Sequence, residues 1–286
     1  MVETLGPAFV IPQIDMIFAH ITTLLQEKTV SQRTYLEQNA IIVGVEEANS
    51  HPIATATMDM LGSLLTALGA NASFLAFYQQ SWRSAASFFT VWNSADDIVS
   101  CYALATSLLE VYGEDAVFVV DDLLKMIPAT VTNPKEFCRA NSYYALNLIM
   151  KFFPGSFASF VENAASILEA GLQGFPGDVS ACGWCDGQTG RAADNAVYAL
   201  VQMDKSYPGR FTETIFSLIL PHLPLRMDHY EEESVVSYVM NVYETNPALF
   251  SKYAVQALTV YGKYLEPDME EETEAYRVSD DAMGDG

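Results

Sequence analysis

The chain has 286 residues, half of them apolar and 12% aromatic, which is ample for a packed core and excludes disorder over most of its length. Thirty-six acids against 14 bases give a net charge of −22, a field that repels phosphate, excludes direct nucleic-acid binding and attracts Lys/Arg-rich partners. The same charge keeps an apolar chain soluble. The longest apolar runs, around Ile215 to Leu220, fall well short of a bilayer span, so no membrane partner is expected.

Apolar residues recur at helical spacing along most of the chain. They predict helices over 12–28, 32–47, 53–69, 73–91, 95–112, 115–127, 134–153, 156–172, 190–206, 209–221, 229–245 and 247–264. Met1-Val2-Glu3-Thr4 carries no basic residue ahead of its apolar stretch and does not read as a signal peptide. From Tyr102 onward a short phrase recurs. Tyr102-Ala103-Leu104 returns as Tyr144-Ala145-Leu146, as Tyr198-Ala199-Leu200 and more loosely as Tyr238-Val239-Met240, in steps of 42, 54 and 40 residues. Asn141, Lys151, Pro154, Gly155 and Phe157 reappear 54 positions later as Asn195, Lys205, Pro208, Gly209 and Phe211, and Asn246-Pro247-Ala248-Leu249-Phe250 is a further echo. The Pro-Gly pairs stop one helix before the next begins.

Periods of about 40–47 residues with two helices per unit indicate HEAT or armadillo-type repeats. The expected fold is therefore all-α, an α-solenoid of stacked antiparallel helix pairs, about six of them over residues 1–265. The longer step comes from a Gly-rich loop at 174–190 inserted between two helices. Residues 266–286 carry nine acids and one base and read as a disordered acidic tail. In the phrase itself, Ala lets the next helix approach, Leu fills the shared core, and Tyr buries its ring while its hydroxyl finds a polar partner. These are packing roles.

No nucleotide-binding, nucleophile-elbow or zincin motif is present, so no enzyme activity and no cofactor are expected. Cys182-Gly183-Trp184-Cys185 has the spacing of a zinc or redox pair. The scattered His20, His51, His222 and His229 offer no matching second pair, and no strand-helix-strand context accompanies the motif. Two neighbouring loop cysteines are the preferred reading, and four cysteines without a dense framework fit a reducing compartment. Candidate binding residues are instead polar. Asn141 and Asn195 stand at equivalent positions, where an amide either clamps an extended peptide or bonds a helix end or the adjacent repeat. Asp96, Asp97, Asp194 and the Glu231-Glu232-Glu233 run would select basic cargo or cap helix starts, with Trp92 as an aromatic anchor.

The run Arg191 to Met203, followed by Leu220-Pro221-His222-Leu223-Pro224-Leu225 and Asp228-His229-Tyr230-Glu231-Glu232, resembles the C-terminal repeats of importin-β-type karyopherins, in particular the subgroup that imports ribosomal proteins and histones. The stretch from Phe74 through Phe157 is similar to the preceding repeats, including Trp92 ahead of Asp96-Asp97. The resemblance implies a nuclear transport receptor fragment in cytoplasm and nucleus that holds basic protein cargo on an acidic concave face. His222 stands where the family usually has an aromatic residue. The family's N-terminal repeats, which bind the small GTPase Ran, have no counterpart here, so contacts with Ran and nucleoporins are expected to lie outside this chain. The alternative is a non-transport HEAT-repeat scaffold for complex assembly. A tubulin-binding version is disfavoured, because only Arg210 lies near the Pro-Gly turns.

Overall fold

The computed structural model describes residues 10–26, 52–87, 95–133, 135–173, 190–227 and 229–265. Within them the protein is all-helical, with no strand. A 3-10 turn at Ile11–Gln13 leads into α1 (Ile14–Leu25), followed by α2 (Pro52–Leu68), α3 (Ala72–Ala86) and α4 (Ala95–Tyr112). Then come α5 (Val120–Thr130), α6 (Glu136–Phe152), the single turn α7 (Pro154–Phe157) and α8 (Val161–Gln173). The last elements are α9 (Arg191–Ser206), α10 (Thr212–Ile219), α11 (His229–Thr245), α12 (Pro247–Lys252) and α13 (Ala254–Leu265). The expected helix over 32–47, Trp92, most of the inserted loop with Cys182 and Cys185, and the acidic tail lie outside the described residues.

Helix ends follow the local chemistry. The Asn71 side chain accepts the Ser73 N–H at the start of α3, and that of Asn246 accepts the Leu249 N–H at the start of α12, where Pro247 supplies the first-turn geometry. Gly209, with φ +78°, makes the turn that follows α9. From α4 onward the first helix of each expected pair is continuous, but the second is not. The 115–127 stretch opens as a 3-10 turn (Gly113–Val119) before α5, which runs on through Pro128 to Thr130. The 156–172 stretch divides into α7 and α8, the 209–221 stretch ends in a 3-10 turn (Leu220–His222), and 247–264 breaks at Tyr253 between α12 and α13. Ala116, whose φ −84° and ψ 18° are not helical, marks the first of these breaks, and Pro221 lies within the turn at Leu220–His222.

Packing follows a regular order. Helix α2 lies on α4, α4 on α6, α6 on α9, and α9 on α11. The hydrogen bonds between neighbours carry nearly constant offsets. Thr55 Oγ1 donates to Asp97 Oδ1, Trp82 Nε1 to Asp122 Oδ2, Tyr112 Oη to the Asn71 carbonyl and Cys138 Sγ to the Ala95 carbonyl, across 42, 40, 41 and 43 residues. Between α6 and α9 the offset becomes the longer repeat step. Asn195 Nδ2 donates to the Ala140 carbonyl across 55 residues, Ser206 Oγ to the Met150 carbonyl across 56, and Tyr207 Oη to the Pro154 carbonyl across 53. The two helices thus run parallel and in register from end to end. The same translation reaches back to α2 and α3, where the Tyr-Ala-Leu phrase is absent.

One buried apolar cluster runs the length of the described residues, from Val10 to Val260. At its amino-terminal end Phe18 stacks on Phe77 and meets Tyr78 edge-on, with centroids 4.6 and 5.3 Å apart. In the middle, the Tyr143 hydroxyl crosses α8 at Gly171, where an added Cβ would lie 2.5 Å from that oxygen. Gly171→Ala should therefore lower stability by about 1–3 kcal/mol in urea unfolding. The double variant with Tyr143→Leu, which removes both that oxygen and the ring carbon Cζ 2.8 Å from the added Cβ, should regain part of the loss.

Candidate functional site

The first turns of the repeated helices carry acids, and the structure uses most of them internally. Glu136 opens α6, and its Oε1 accepts the N–H groups of Gly190 and Ala192 at 2.7 and 3.2 Å, capping α9 from the neighbouring unit. Gly190, at φ +132°, holds that approach, and a Cβ there would press on Arg226 and Met227 at 3.3–3.4 Å. Asp194 repeats the device one unit on. Its Oδ2 accepts the N–H groups of Arg226 and Met227, at 3.0 and 2.7 Å, in the segment that leads from the cis Leu223–Pro224 peptide into α11.

The candidate cargo residues therefore divide. Asp97, Asp194 and Asn195 are buried. Asp97 accepts the Thr55 hydroxyl at 2.6 Å, Asp194 binds two backbone N–H groups, and Asn195 donates to Ala140. The expectation that these three face cargo is corrected: a carboxylate withdrawn from water and surrounded by intramolecular donors holds neighbouring helices together. Asn141 is half-buried and donates to the Phe137 carbonyl one turn back at 2.7 Å, so the Asn141–Asn195 pair is not a ladder of free amides. Asp96 and Glu233 are exposed, while Glu231 and Glu232 are partly exposed.

A strip that the sequence had assigned to packing alone joins these acids. Tyr144 of α6 donates its hydroxyl to Glu110 of α4. On the other side, Tyr198 of α9 lies among Glu231 and Ser234 of α11 and Asn147 of α6. Lys205 Nζ donates to Ser234 Oγ at 2.8 Å. Burial, and then the neighbouring negative charge, raise both tyrosines: Tyr144 well above the ordinary phenol range, through Glu110 and Glu231, and Tyr198 up to about 12, through Glu231. Burial lowers Lys205, with Glu231 acting in opposition. Carboxylates and half-buried phenols thus cross α4, α6, α9 and α11. By contrast, Tyr102 and Tyr238 are fully buried, bonded to Thr130 at 2.5 Å and to Asp204 at 2.9 Å. The repeated tyrosine therefore serves two environments, which the letters do not distinguish.

His222 is half-buried. Burial, and next the charge of Arg226, lower its pKa, so the ring is neutral at pH 7. Cys101 and Cys138 are free, buried thiols pushed upward by burial, which makes them poor nucleophiles. Among the described residues no group of three or more His, Cys, Asp or Glu could hold a metal ion, and no helix is long and apolar enough to cross a membrane. No protein family, curated protein or solved structure matches this chain.

Asp194→Ala strands two backbone N–H groups and should cost about 3 kcal/mol in urea unfolding, a penalty unlike that of a surface acid. The phenols give a second expectation. Their folded pKa lies above the unfolded value near 10, so their stabilisation is complete below pH ~10 and is lost as pH rises through the folded value. The thermal midpoint should fall between pH 10 and 12, and Tyr198→Phe should make that fall shallower.

Proposed function

We propose that the helix pairs form a HEAT-type α-solenoid and that the chain is a nuclear transport receptor fragment, holding a basic protein segment on an acidic face. The row α2, α4, α6, α9, α11 would line the concave side. What supports this reading is the strip of Glu110, Tyr144, Tyr198 and Glu231, which crosses four successive members of that row with Glu232 beside it. Acids at this spacing attract Lys and Arg. Partly buried phenols present flat rings and hydroxyls to an extended chain, and they stack with guanidinium groups. A single exposed ion pair contributes only about 0.2–1 kcal/mol, whereas nanomolar affinity needs about 12 kcal/mol. Affinity must therefore come from several units at once, with the acids selecting charge. Asp97, Asp194 and Asn195 act behind the face, keeping adjacent helices in register.

A fluorescent Lys/Arg-rich peptide titrated into the full chain tests this reading. Glu110→Lys and Glu231→Lys should each weaken binding, and binding should weaken further as salt is raised from 50 to 300 mM, roughly the range over which the screening length shortens to below 10 Å. Asp96→Lys, away from the strip, should have a smaller effect. Equal binding by all variants and indifference to salt would discard the cargo reading and leave the non-transport scaffold.

A further inference from the structure

The last described unit differs from its predecessors in one respect. The third residue of the recurring phrase is buried in three successive units, as Leu104, Leu146 and Leu200, and so are Ile149 and Met203 one turn on. Their counterparts on α11, Met240 and Tyr243, are 41% and 52% exposed. The second helices show the same contrast. Phe216 of α10 is buried against Phe250 and Tyr253 of the following unit, with ring centroids 6.2 and 5.9 Å away. The Lys252–Glu213 ion pair sets the offset here at 39 residues. On α13, Val255 and Leu258 are 80% and 63% exposed, while Ala257 and Val260 of the same helix are buried. Helices α4, α6 and α9 are each covered by the next first helix in the row, whereas α11 packs on α9 and α12, with the Tyr243 ring edge-on to Phe250 at 5.0 Å.

The chemistry of this face indicates what would cover it. Glu233, Ser237, Met240 and Glu244 fall at i, i+4, i+7 and i+11 and are all exposed, so one face of α11 is apolar in the middle and acidic towards both ends. The net charge of −22 opposes a second copy of the chain in that place. We propose that the outer face of α11 is a docking surface for an amphipathic helix of a partner protein, one with an apolar stripe over Met240 and Tyr243 and Lys or Arg towards its ends. The partner helix would lie along α11 as α11 lies along α9. This inference rests on the repeat reading above, but not on the cargo strip.

The test uses the full chain and a labelled synthetic peptide of about 18 residues, long enough to form a helix. The peptide carries a Leu stripe at i, i+3, i+4 and i+7 and lysines at both ends, and a scrambled peptide of equal composition is the control. A monomeric chain in sedimentation equilibrium is expected, with binding that Met240→Glu weakens by about tenfold or more and that Glu233→Lys weakens as well. Glu110→Lys, on α4, should leave this binding unchanged, which separates it from loss of the cargo strip. Failure to bind, or equal binding of the scrambled peptide, would overturn the proposal. So would a dimer dispersed by Met240→Glu, which makes a second copy the occupant, or binding seen only after removal of 266–286, which makes the chain's own end the occupant.

Discussion

The arrangement depends on carboxylates withdrawn from water and aimed at backbone N–H groups of the neighbouring unit. Glu136 reaches the start of α9, and Asp194 reaches the segment ahead of α11. A helix start exposes N–H groups without intrahelical partners and carries the positive end of its dipole, so a negative oxygen there is worth more than a neutral cap. These contacts are also specific. Apolar packing between two helices tolerates sliding by a turn, whereas two N–H groups converging on one oxygen tolerate little. Hence α9 keeps one register on α6 from Ala192 to Tyr207, with Asn195, Ser206 and Tyr207 adding further bonds at matching offsets.

The acidity of the chain therefore has two components that composition merges. Asp97, Asp194 and Asp204 are buried and bonded to Thr55, to the Arg226 and Met227 backbone, and to Thr212 and Tyr238. Glu110, Glu231 and Glu232 belong to the surface, beside Tyr144 and Tyr198. Only the second group can recognise another molecule directly, while the first determines whether the second is held at useful spacing.

Much of the helical order was legible in the letters. From α2 onward the 3.6-residue rhythm placed the first helix of each pair within a residue or two, because those helices are enclosed on several sides and keep a strong apolar pattern. From 115 onward the second helices were read as unbroken, since Ala116, Pro221 and Tyr253 interrupt them without erasing the apolar stripe. The offset of 54 between Asn141 and Asn195 was visible, and it has a counterpart in the hydrogen bonds between α6 and α9. The fate of the side chains was not visible. Asp194 and Glu231 are both acids near a helix start, yet one is enclosed by the Leu-Pro-Leu segment and the other borders solvent, and that difference is made by residues some 30 positions away. Tyr144 and Tyr198 were noticed as repeats but assigned to packing, because periodicity cannot say whether a hydroxyl meets a buried Thr or a surface Glu.

The unequal steps carry a consequence of their own. Helix α9 sits on α6 at offsets of 53–56 residues, and α4 sits on α2 with an offset of 42, with the same kind of lateral contact in each case. The dozen extra residues enter between α8 and α9, and among the described residues at that junction the Gly190 and Ala192 N–H groups donate to Glu136. Chain length at that junction is thus decoupled from the alignment of the helices on either side. A foreign domain or a reporter spliced there would travel as a passenger, leaving the mechanical continuity of the row intact.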